Sequence, residues 1–168
     1  IGVHTASYTG AVVVNNAGHI HAGDTNFAIG VLMEGIDGTN TLNNAATGVI
    51  SADGDEGYAF AVMGSYAVDT INNSGHITGA VALYAGDDVF NNRNGGVWST
   101  NGTHSSDFGD GNDTINNLAG GLIDIQTGAI TMGAGNDTLA NAGTVRIGTG
   151  GTISFGDGND SLTNAAGG

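Results

Sequence analysis

The sequence predicts an all-β chain wound as a three-sided parallel solenoid of about seven coils. Three observations carry this. An Asn pair recurs as Asn15-Asn16, Asn43-Asn44, Asn72-Asn73, Asn91-Asn92 and Asn116-Asn117, and single Asn141 and Asn164 continue it; the second Asn returns at intervals of 28, 29, 19, 25, 24 and 23 residues. The apolar runs between these anchors are 3–6 residues long and rich in Val, Ile, Thr and Phe, which is too short for helices and suited to strands. Gly makes up 32 of the 168 residues and Pro is absent, so Gly and Asn are left to make the positive-φ turns that β-branched residues avoid.

Each anchor is followed by a second repeated slot. Ala-Gly-His-Ile at 17–20 matches Thr-Gly-Val-Ile at 47–50 and Ser-Gly-His-Ile at 74–77. Gly-Gly-Val-Trp at 95–98, Gly-Gly-Leu-Ile at 120–123 and Ala-Gly-Thr-Val at 142–145 fill the same position. A unit therefore reads short strand, Asn turn, Gly, short strand, variable turn, short strand, Gly-rich turn. One unit cannot bury its own apolar face; stacking does so, and the backbone of each coil then pairs with the next. At about 4.8 Å per paired strand, seven coils make a rod of roughly 35 Å. Ile20, Ile50, Ile77, Trp98, Ile123 and Val145 are expected to form an interior column, and Asn16 through Asn164 a corner column with Asn in the left-handed region. Residues 1–168 read as a single solenoid segment, with a loop insertion around 51–58 and a shortened turn in the 19-residue unit. The chain begins at Ile1 and shows no polar cap at either end, so it is expected to be a piece of something longer, continuing into more coils or stacking end-on with copies of itself.

The charge balance narrows the partners. Sixteen Asp and Glu stand against two cations, Arg93 and Arg146, giving a formal net charge of -14. Nucleic acid and anionic membrane need Lys and Arg to displace counterions, and neither is expected as a partner. Cations, protons and basic partners are what such a surface attracts. The 39% hydrophobic content, arranged in β-branched runs, argues against an acidic disordered tail. With no Cys, disulfides and thiol chemistry are excluded. No stretch reaches the length of a membrane-spanning helix.

The most specific motif is an acidic phrase: Phe108-Gly109-Asp110-Gly111-Asn112-Asp113-Thr114, echoed at Met132-Gly133-Ala134-Gly135-Asn136-Asp137-Thr138 and Phe155-Gly156-Asp157-Gly158-Asn159-Asp160-Ser161. It fits G-x-G-x-D-x-U, the core of the RTX calcium nonapeptide. Calcium takes six to eight oxygens from carboxylates and carbonyls, and the residues expected to supply them are Asp110, Asp113, Asp137, Asp157 and Asp160. At coil spacing, a column of Asp carboxylates repels itself, so a cation lies between its members or their pKa values rise. The alternative is structural: Asp caps its turn through Asx hydrogen bonds to the following amides. RTX repeats run in tandem every nine residues, whereas here the phrase occurs once per coil. It also decays toward the N-terminus, as Tyr84-Ala85-Gly86-Asp87-Asp88, and at Asn40 and Asp69 only the last position survives.

The phrase Gly-Asp-Gly-Asn-Asp-Thr, followed by Asn, Gly and Ile on a period of 20–30 residues, resembles the passenger regions of Gram-negative autotransporters and related large surface adhesins. The resemblance spans the chain at the level of the repeat and is most specific over 108–168. It implies a right-handed parallel β-helix in an extracellular, cell-surface protein associated with the outer membrane and secreted through a β-barrel.

Other candidates are weighed against simpler roles. His19 and His76 share a register that also holds Val49 and Thr144, which fits an exposed strand position better than a metal or proton site. Asp87 and Asp88 make a carboxylate pair of the kind that polysaccharide-degrading β-helices use as acid and base, but Asp88 falls in the turn slot of Asp113. Arg93 and Arg146 are expected at the surface near acidic columns. Trp98 sits in the interior register; Tyr58, Tyr66 and Tyr84 suit sugar rings if exposed, Tyr58 first among them. The function expected is non-catalytic: an adhesin, stalk or self-associating filament component at the bacterial cell surface, with an unnamed surface or matrix ligand and end-to-end self-association. The alternatives are a calcium-dependent RTX-like binding module and a polysaccharide-degrading enzyme.

Overall fold

The computed structural model describes residues 1–24, 26–54, 58–100 and 104–165. Every strand pairing in it is parallel, and the strands fall into three sheets visited in rotation. The first sheet stacks Val3–Ser7, Ala28–Gly35, Ala59–Met63, Ala80–Ala82, Ser106–Asp107, Ala129–Thr131 and Thr152–Ser154. The second stacks Val13–Asn16, Asn40–Asn44, Asp69–Asn73, Val89–Asn92, Thr114–Asn117, Thr138–Asn141 and Ser161–Asn164. The third stacks His19–Asp24, Val49–Gly54, His76–Thr78, Val97–Thr100, Leu122–Ile125 and Thr144–Ile147. Six complete coils and two sides of a seventh result, a three-sided parallel β-helix.

The period of two along each strand places alternate residues inside. In the second sheet Leu42, Ile71, Phe90, Ile115 and Leu139 are buried and in register, while the Thr and Asn between them face outward. The third sheet sets Ile20, Ile50, Ile77, Trp98, Ile123 and Val145 in one column, as the repeat predicts. Its inner members are fully buried and its two end members partly covered. Trp98 packs 4.5 Å from the Phe90 ring and donates its indole N–H to the Gly79 carbonyl at 3.2 Å, so the one polar atom of the largest core residue is satisfied.

Coil length varies at the corners. The 19-residue unit has its shortened turn at Gly79, the single residue between Thr78 and Ala80, with φ of 125°. Where a loop was expected around 51–58, Asp53 and Gly54 extend the third-sheet strand and pair with Gly23 and Asp24 of the coil before; residues 55–57 lie outside the described residues.

The Asn column sits at the last position of each second-sheet strand. Asn16, Asn44, Asn73, Asn92, Asn117, Asn141 and Asn164 are in continuous register, and each Nδ2 donates to the Oδ1 of the next coil at 2.7–2.9 Å. The expectation that these Asn adopt the left-handed region is corrected: the positive φ falls instead on glycines three residues later, at Gly95 (81°) and Gly120 (79°). A second column on the outside, Asn15, Asn43, Asn72, Asn91 and Asn116, is bonded in the opposite sense, each Nδ2 donating to the preceding coil at 2.9–3.1 Å.

Candidate functional site: the buried aspartate column

The acidic phrase forms the corner where the chain passes from the first sheet to the second. Its two glycines are required by contact. Gly109, Gly133 and Gly156 have φ of 99°, 110° and 87°, and Gly111, Gly135 and Gly158 have φ of 146–150°. A Cβ at any of the six would lie within 1.5–1.9 Å of a carbonyl oxygen in the coil before. The carbonyls of adjacent coils bond across this corner: Asp110 N–H to Tyr84 O, Gly111 N–H to Ala134 O, Ala134 N–H to Gly109 O and Gly135 N–H to Asp157 O.

The Asn of the phrase makes an outward column. Asn112 donates its backbone N–H to Asp87 Oδ1 at 2.7 Å, Asn136 to Asn112 Oδ1 at 2.9 Å and Asn159 to Asn136 Oδ1 at 3.0 Å. The Asp of the phrase makes an inward column running the other way. The backbone N–H of Asp69 donates to Asp88 Oδ1 at 2.7 Å, that of Asp88 to Asp113 Oδ1 at 2.8 Å, that of Asp113 to Asp137 Oδ1 at 2.8 Å and that of Asp137 to Asp160 Oδ1 at 3.0 Å. Asn40 heads the column, donating from Nδ2 to Asp69 Oδ1 at 2.9 Å. The expected Asx cap on following amides is thus replaced by a bond to the neighbouring coil. Only Asp69 also closes a local turn, its Oδ2 accepting the Ser65 N–H at 2.8 Å.

Asp88, Asp113 and Asp137 are buried, and the Oδ2 of each has no hydrogen-bond partner. A desolvated oxygen of this kind disfavours the anion. Burial pushes the Asp88 carboxyl up to about 8, despite the Asp69 N–H that favours the anion, and Asp69, Asp113 and Asp87 add to the rise. Burial likewise raises Asp69 and Asp113 to about 6, and Asp137 is raised for the same reason. At Asp69, Asp88 and Asp113 the column therefore holds carboxyl groups poised to keep protons near neutral pH.

Of the five residues expected to bind calcium, Asp113, Asp137 and Asp160 share this column. Asp110 and Asp157 do not join them: they are exposed, on the outer edge of the corner, with Ala134 between them in the stack. The column offers one free buried oxygen per coil at three positions, and its Oδ1 atoms already accept N–H bonds. Among the described residues no three His, Asp or Glu side chains converge on one point. This donor set fits a proton per carboxyl more readily than the six to eight oxygens of a calcium cage.

The remaining candidates separate. Asp87 is exposed and bonds Asn112, whereas Asp88 points inward, so the two carboxylates face opposite sides of the wall. His19 and His76 are exposed, with Val49 between them. Arg93 donates to Asn72 Oδ1 at 2.6 Å, and Arg146 lies 3.5 Å from Asp124 in the adjoining coil. Sequence reasoning confined the site to the clearest copies of the phrase and left out Asp69 and Asp88, although both hold its last slot. Tyr84, expected only as one of three tyrosines suited to sugar rings if exposed, occupies the slot of Gly109 and is the one non-Gly residue with positive φ (74°) among the described residues. Compared with known proteins, the chain matches no family model, no curated protein and no solved structure.

Proposed function

We propose that the chain is a non-catalytic, extracellular segment of a bacterial surface protein, working as a stiff stalk or adhesin that displays side chains along its outer walls. The observation that supports this most is the unbroken inner stacking: the apolar, Asn and Asp columns pass through successive coils, so the chemically able groups are engaged in holding coil to coil. The carboxylate pair suited to polysaccharide cleavage is divided between inside and outside, which favours the mechanical role over the enzymatic one. Immunolabelling of intact cells that express the parent protein tests the reading. Labelling before lysis is expected; labelling only after lysis rejects a surface role.

A calcium-dependent module is the second reading, favoured by the partnerless Oδ2 atoms of Asp88, Asp113 and Asp137. Circular dichroism and thermal melting with calcium and with EGTA separate the two. An EGTA-induced loss of β signal or of melting temperature would establish the second reading, and an unchanged melt would leave the first.

A further inference from the structure

Three of the four tyrosines border one groove. Tyr8 and Tyr66 are 80% and 83% exposed and Tyr84 is 41% exposed, and together they wall a depression of about 610 Å³ on the outer face of the first sheet. Its floor includes Leu32 and Met63, which pair across adjacent coils, and Glu34 stands at its side. The Tyr66 and Tyr84 rings lie 5.7 Å apart between centroids at 31°, giving a platform of two phenols carried by successive coils.

Tyr84 is held there against its backbone preference. Its φ of 74° is one that a β-carbon disfavours, and the slot carries Gly in the next three coils, at Gly109, Gly133 and Gly156. Such an outlier points to a role for the side chain that outweighs local strain. A phenol offers an apolar face and a hydroxyl on one stiff group, which matches the alternation of C–H faces and hydroxyls on a sugar ring. The volume is that of a small-ligand site.

Charge selects among occupants. The chain has no Lys, and neither Arg borders the groove, so a uronate or sulfated sugar would meet no counter-charge. The one carboxylate, Glu34, is already bonded to His4 Nε2 at 2.6 Å, so a basic peptide would find no free anion there. A neutral chain meets neither obstacle.

We propose that Tyr8, Tyr66 and Tyr84 form a binding groove for a neutral hexose chain, stacked on the Tyr66–Tyr84 pair and hydrogen-bonded through the phenols. This names a ligand class for the adhesin reading and rests on that reading for its biological role only. The test is titration of the purified 168-residue chain, observed by amide chemical shifts, with the probes maltohexaose, cellohexaose and laminarihexaose, alongside hexagalacturonate and hexalysine. At least one neutral hexaose is expected to shift groove residues, with affinity reduced about tenfold or more in Tyr66→Ala and in Tyr84→Gly and unchanged in Tyr58→Ala. Tyr84→Gly removes the disfavoured β-carbon, so its melting temperature should equal or exceed that of the wild type, which separates lost binding from lost folding. If no neutral hexaose shifts the groove at millimolar concentration, if Tyr84→Gly binds as well as wild type, or if only hexagalacturonate or hexalysine binds, the proposal is overturned. Because the assay uses purified protein, its outcome is independent of the cell-labelling result.

Discussion

Replacing Asp88 by Asn is expected to stabilise the protein, and to do so more as pH rises. The Asp88 carboxyl titrates near 8 in the folded chain against 3.8 for the free side chain. The folded state then holds a proton that the unfolded state releases anywhere between those values, so wild-type stability falls as pH rises through the interval. At about 1.4 kcal/mol per pH unit, the loss reaches about 4 kcal/mol by pH 7 and between 5 and 6 kcal/mol near pH 8. Asn carries no charge to suppress. Its Oδ1 can still accept the Asp69 N–H, and Asn40, in the same slot, shows that an amide there donates to the carboxylate of the following coil. In Asp88→Asn that acceptor is Asp113 Oδ1. The assay is thermal melting of both proteins at pH 4, 7 and 8. Near pH 4 the two stabilities should agree within about 1 kcal/mol, and at pH 7 the variant should melt higher by roughly 10 °C for a chain of this size. A difference that does not vary with pH, or a variant that melts lower than wild type at pH 8, would refute the reasoning that Asp88 is folded as a neutral acid.

Other substitutions probe the columns separately. Asn92→Ala removes a fully buried rung that accepts from Asn73 and donates to Asn117, Gly96 O and Leu122 O; chemical denaturation should show a loss of about 3 kcal/mol. Trp98→Ala empties the widest core position, which is fully buried, and should cost about 3–5 kcal/mol with collapse of the near-ultraviolet dichroism. Gly111→Ala places a Cβ 1.9 Å from the Gly86 carbonyl, whereas Gly150, with φ of 85°, has no atom within 4 Å of its added Cβ. Melting curves should accordingly show Gly111→Ala grossly destabilised and Gly150→Ala lowered by only about 1 kcal/mol. Equal effects at the two positions would contradict the close stacking of the glycine corner.

The architecture was legible because its signal is periodic. Asn92 or Ile123 alone says little, but each recurs at coil spacing beside the same neighbours, and a stacked chain makes such positions touch. The Asp column was legible for the same reason, in that Asp69 and Asp88 keep its slot after the glycines have gone. What each Asp bonds to was not legible. An Asx turn and a bond to the adjacent coil use the same residue, and only the stacking height decides which amide is nearest. The left-handed Asn was misjudged because the glycines at 95 and 120, which have no β-carbon, take that conformation at lower cost. The tyrosine groove left the weakest trace: outward positions are not constrained by packing, so Tyr8 and Tyr66 repeat nothing. Tyr84 was the exception, since it stands in a slot that holds Gly in the next three coils.

The two sets of corner bonds, inward through Asp and outward through Asn, run in opposite directions and each reaches no farther than the adjacent coil. The molecule is in that respect a zipper with teeth on both sides. Its free energy is a sum over neighbouring pairs of coils, so adding turns lengthens the rod without raising the stability of each junction. A single weakened junction would let the flanking halves melt as separate units, and force applied along the axis would find the weakest junction first.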